Sequence, residues 1–185
     1  MKPGFQAVGS RCVALGAVGV TLALAGCGNS ASVPPTSTVK LPAIQLVSSV
    51  LPASHVLPNK YACNPKIGVP PLKWGGLPAN TAGLALVVFF VSSQGNGGGP
   101  QAAVTGLSPK LHEFKAGVVP HGAVIASDSR VMCPTKGVNA TYFVRLYALK
   151  KRVKLTSSAT VAAAINAIAP VAVAVGSLEV HYKRT

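Results

Sequence analysis

From Tyr142 to Leu149 the chain alternates strictly. Tyr142, Val144, Leu146 and Ala148 make one apolar face, and Phe143, Arg145 and Tyr147 a mixed one, which is the period of a β-strand set in a core. Ahead of it, Cys133-Pro134 and Gly137 form a constrained loop feeding that strand, and loops on rigid strands are where ligands usually sit. Leu84 to Val91 is an unbroken apolar run between Gly83 and the segment Ser92 to Pro100; it predicts a strand covered on both faces, followed by a glycine-rich turn. Leu178, Val180 and Tyr182 alternate with Ser177, Glu179, His181 and Lys183, predicting a half-exposed final strand. One helical pattern stands out: Ser157-Ser158 precede Val161, Ala164, Ile165 and Ile168, and Pro170 ends it. Ala102 to Leu107 and Gly117 to Ile125 predict shorter strands, separated by Pro109 and Pro120. Ile44, Leu46 and Val47 open the domain, and Pro70-Pro71 hold an extended segment before Trp74, which reads as a core plug.

The amino terminus follows a different logic. Lys2 and Arg11 make a basic region, Val13 to Leu24 is nearly all apolar, and Leu24-Ala25-Gly26-Cys27 follows. This is the design of a signal peptide, and its last four residues match the lipobox of bacterial lipoproteins. The expectation is cleavage after Gly26 and lipidation of the Cys27 thiol, with acyl chains holding the protein on the membrane. Residues 27–42, rich in Ser, Thr and Pro, read as a flexible tether. Residues 43–185 are left as one domain, expected on the extracytoplasmic face of the cell membrane.

Charge narrows the partners. The whole chain carries +14; with Lys2 and Arg11 gone in the leader, the 15 remaining basic and 3 acidic residues leave +12. An anionic lipid or cell-wall polymer suits that balance, as does a merely soluble, self-repelling surface. Nucleic acid is not expected, because the chain reads as exported and carries no nucleic-acid motif. Lys150-Lys151-Arg152-Val153-Lys154 concentrates positive charge just after the central strand, either as a solvated turn or as a patch facing an anionic surface.

Little apparatus for catalysis is visible. Glu113, Asp128 and Glu179 are isolated from one another in sequence, and His55, His112, His121 and His181 fall at no ligand or triad spacing. Ser92 and Ser93 lack a nucleophile elbow. Once the expected leader, with Cys12, is removed, Cys63 and Cys133 are the thiols left beside Cys27. In an oxidising compartment they are most simply a disulfide, since no close Cys or His spacing favours a metal site. The chain therefore reads as non-enzymatic, with no cofactor expected.

Several segments resemble the bacterial, Raf kinase inhibitor-like branch of the phosphatidylethanolamine-binding protein family. They are Leu57-Pro58-Asn59-Lys60-Tyr61-Ala62-Cys63, Pro70-Pro71-Leu72-Lys73-Trp74 through Pro78, Leu84 to Val88, Cys133-Pro134, and Tyr142 to Leu149. The resemblance implies an α+β, mainly β domain: a large antiparallel sheet, a smaller sheet and peripheral helices. It also implies a small pocket for phosphate-like anions or phosphoryl headgroups, in proteins that act as binders or as inhibitors of kinases or proteases. Residue by residue, Tyr142 and Pro134 match the pocket pattern. The family's acids and prolines fall on Phe90 to Gln94, one pocket histidine falls on Gln101, and the histidine and arginine before the matching tyrosine fall on Ala140 and Thr141. Losing imidazoles and carboxylates removes the charge-assisted hydrogen bonds that grip phosphate. The expected ligand site is thus a degenerate pocket formed by Tyr142, Pro134 and Gln101, tuned to a neutral or lipid-like ligand. The alternative is an inhibitor-like scaffold whose pocket is closed and which contacts a protein partner.

Overall fold

A computed structural model describes residues 40–63, 68–92, 98–127 and 131–185. The expected signal peptide, Cys27, most of the tether, the centre of the glycine-rich turn and Asp128 lie outside the described residues. No helix among the described residues is long and apolar enough to cross a membrane.

Two antiparallel sheets carry the domain. The larger contains five strands: β3 (Gly83–Ser92), β4 (Gly98–Leu107), β6 (Val124–Ser127), β7 (Asn139–Leu149) and β8 (Ala172–Lys183). Their order is β6-β4-β3-β7-β8. The smaller contains β1 (Gln45–Val47), β2 (Leu72–Gly75) and β5 (Glu113–Phe114), in the order β1-β2-β5. Among the described residues, one α-helix, α1 (Val161–Ile168), and two short 3-10 turns accompany the sheets.

The sequence of β3 follows from its place. Central in the larger sheet, it is covered on both sides, so alternation would have buried polar groups without partners. One face joins Leu84, Leu86 and Val88 to the alternating residues of β7 and to Leu46, Leu72, Trp74 and Phe114 of the smaller sheet. Trp74 is indeed buried, and its indole Nε1 donates to the Leu111 carbonyl at 2.9 Å. The other face joins Ala85, Val87 and Ala103 to Val161, Ala164 and Ile168 of α1. That helix starts at Thr160, whose Oγ1 accepts from the Ala163 amide at 3.1 Å, a side-chain N-cap.

Three boundaries differ from the periodicity. The glycine-rich segment is shorter than the turn predicted for Ser92 to Pro100, because Gly98 and Gly99 pair with β3. Gly98 is admitted there by its missing side chain: a Cβ would stand 2.6 Å from the Phe90 carbonyl oxygen. The strand predicted over Gly117 to Ile125 is confined to Val124–Ser127. Pro120 and the left-handed Gly117 and Gly122 turn the chain before it, leaving Val118 and Val119 exposed. Conversely, β8 begins five residues before its polar alternation, since Ala172 to Gly176 ladder onto β7.

Candidate functional site

Of the residues expected to line a ligand pocket, Gln101 lies on β4, Tyr142 on β7 and Pro134 in the loop before β7. On β3 and β4, Val88 pairs with Ala102 and Phe89 with Pro100, so Gln101 is an extra residue in a bulge. Bulges re-aim side chains beside functional sites. Half-buried, Gln101 turns its Oε1 to accept the Met132 amide at 3.3 Å.

That hydrogen bond seats the loop before Pro134. Met132 is fully buried in the left-handed region at φ 51°, and Cys63 also lies there at φ 54°. Such conformations cost non-glycine residues free energy and persist only where the surroundings hold them. Here the holding element is the Cys63–Cys133 disulfide, which joins positions 70 residues apart. Pro134 is buried immediately after it. The expected pairing of Cys63 with Cys133 is thus present.

Tyr142 fills the core below this loop. It is fully buried in one cluster with Val131 and Met132, and its hydroxyl has no hydrogen-bond partner. Burial pushes the phenol far above the ordinary tyrosine range, and the neighbouring Tyr182 adds to the shift. Phe90 stands opposite, where the family pattern would place an acidic residue. The wall is apolar and holds a neutral phenol.

A second polar group, scattered in sequence, assembles at the β7–β8 edge. Thr141 Oγ1 and His181 Nδ1 lie 3.2 Å apart, His181 Nε2 is 3.5 Å from Glu179, and His55 Nδ1 is 2.9 Å from the Glu179 carbonyl oxygen. A cleft of about 270 Å³ runs between Val56, Thr141 and His181. Only the cross-strand register, invisible in a periodicity count, brings Thr141 opposite His181. Among the described residues, no three of His, Cys, Asp and Glu come together as metal ligands would.

No protein-family model matches the chain, and comparison with curated proteins gives no match. Solved structures do match. A phosphatidylethanolamine-binding protein homologue from Chlamydia trachomatis superposes with a TM-score of 0.64, covering 77% of this chain and 99% of its own at 22% identity. This is the phosphatidylethanolamine-binding protein fold. YbcL of E. coli, a member of the same structural family, superposes with a TM-score of 0.63 over 77% of this chain and 99% of its own, at 18% identity. The mainly β, two-sheet architecture implied by the motifs is therefore present.

Proposed function

We propose that the protein is a lipid-anchored, extracytoplasmic and non-enzymatic binding module. Its ligand site lies where Gln101, Pro134 and Tyr142 meet the disulfide-clamped loop. The observation that carries this reading is the fully buried Tyr142 hydroxyl without a partner. A buried unsatisfied hydroxyl costs about 1–3 kcal/mol, and a ligand accepting from it would recover that cost. Because Phe90 replaces a charged wall, the preferred group is neutral or lipid-like rather than a bare dianion. The non-enzymatic assignment is supported by Glu113 and Glu179, which lie 3.5 Å from Lys115 and His181 at the surface and form no carboxylate pair.

The test uses the full chain, isotope-labelled, in maltoside micelles. Short-chain phosphatidylethanolamine is titrated while amide signals are followed. Saturable shifts at Gln101, Met132 and Tyr142 that vanish in Tyr142→Phe are the expected result. Their absence would sink the pocket and favour the protein-contact alternative. Anchoring is tested separately: Cys27→Ser should release the protein from the membrane fraction and abolish labelling by a palmitate analogue.

A further inference from the structure

The opposite end of the larger sheet holds a cavity of about 560 Å³, within the range of small-ligand sites. Here β4 makes a second bulge: Leu84 pairs with Leu107 and Leu86 with Val104, so Thr105 and Gly106 together face Ala85. Gly106 adopts φ 76° and passes so close to the 121–123 turn that a Cβ would lie 2.5 Å from the Gly122 carbonyl oxygen. The bulge and this turn form one wall. The opposite wall is the basic run after β7. That run is pinned, because the Lys150 amide donates to the Val171 carbonyl at 2.9 Å and Val153 is buried against α1. Arg152 and Lys154, flanking Val153, are thereby held at the rim of the cavity, whereas Lys150 and Lys151 are not part of its lining.

Charge and hydrogen bonding in this cleft are one-sided. The charged residues of the lining, Arg152 and Lys154, are both basic, and His121 also lines the cavity. Among the described residues the ion pairs are Lys115–Glu113 and His181–Glu179, so neither Arg152 nor Lys154 is paired with a described carboxylate. Thr105, also in the lining, is fully buried at 0% accessibility, and its hydroxyl lacks a partner. An unmet hydroxyl in the lining of the same cavity as two cations is the complement of an oxyanion.

We propose that this cavity is a second ligand site, distinct from the Tyr142 end, which binds a phosphoryl group between Arg152 and Lys154 with Thr105 as hydroxyl donor. Arg152 offers a planar fork to two phosphoryl oxygens and Lys154 a point charge. Thr105 and Gln101 are about 13 Å apart along β4 at about 3.3 Å per residue, so the two sites report separately.

The full chain in maltoside micelles, which contain no phosphate, is titrated with inorganic phosphate at fixed ionic strength. Saturable amide shifts at Thr105, Gly106 and Gly122 are expected. Arg152→Gln combined with Lys154→Gln should weaken binding about tenfold or more, the scale of one lost charged hydrogen bond. Lys150→Gln with Lys151→Gln removes the same charge and should change it less than about twofold. Thr105→Val should weaken binding several-fold; unchanged affinity would overturn the hydroxyl's part. Transfer to phosphatidylglycerol bilayer discs without added phosphate identifies the source. The same shifts there assign a lipid headgroup, and shifts with inorganic phosphate alone assign a free phosphate. Silence in both arms, or equal weakening by the two double variants, overturns the site. Shifts at Gln101 and Met132 are read in the same spectra, so failure here leaves the Tyr142 reading standing.

Discussion

Phe90 and Tyr142 face each other across β3 and β7, with ring centroids 5.5 Å apart and planes tilted by 44°. The contact places an aromatic ring, rather than a carboxylate, beside a phenol whose hydroxyl has nothing to bond. In the absence of ligand, Tyr142→Phe should leave stability unchanged or raise it by about 1 kcal/mol, since it deletes an unsatisfied group and keeps the ring. Urea unfolding measures the difference. A loss above about 1 kcal/mol would mean that the hydroxyl is satisfied in solution.

The same phenol makes alkaline stability predictable. Its folded pKa is raised by burial and by Tyr182, while an unfolded tyrosine ionises near 10. Below about pH 10 both states are protonated and Tyr142 contributes no pH dependence. Above it the unfolded state binds fewer protons than the folded one, so stability falls, by up to about 1.4 kcal/mol per pH unit from this group. Subtracting the stability curve of Tyr142→Phe from that of the parent between neutral and alkaline pH should isolate this slope. Parallel curves would show that Tyr142 titrates alike in both states.

Opening the Cys63–Cys133 link frees a loop of 70 residues. Cys63→Ala with Cys133→Ala should destabilise the domain by about 4 kcal/mol on the chain-entropy account. The damage should concentrate where the bond holds strained backbone: amide exchange at Met132 should accelerate more than exchange in β8. Uniform acceleration would indicate that the bridge acts through the unfolded chain alone.

Much of the fold was legible because its signals are local. The β7 alternation, the apolar β3 run and the α1 spacing each follow from which faces are covered. Boundaries failed where pairing or close approach decides, as at Gly98 against the Phe90 carbonyl oxygen and at Ala172 to Gly176, whose apolar run carries no alternation. The motifs single out Tyr142, Pro134 and Gln101 as candidates but carry no trace of the bulge that turns Gln101 toward Met132. The basic run was conspicuous, yet only tertiary packing of Val153 separates Arg152 and Lys154 from their neighbours. Thr105 gave no signal, since an unpaired hydroxyl is a property of its surroundings.

Gly106 and Gly122 offer a paired test of the architecture around that cavity. Both adopt φ 76°, so an alanine at either meets the same left-handed strain, about 1 kcal/mol. Their surroundings differ. A Cβ on Gly122 meets nothing within 4 Å, whereas one on Gly106 is 2.5 Å from the Gly122 carbonyl oxygen and cannot be accommodated without moving backbone. Gly122→Ala should therefore cost about 1 kcal/mol and Gly106→Ala about 2 kcal/mol or more beyond that, overpacking being added to strain. Both are read from urea unfolding. Equal costs would mean that the 121–123 turn yields freely, and the wall of the cavity would then be softer than the close approach of β4 implies.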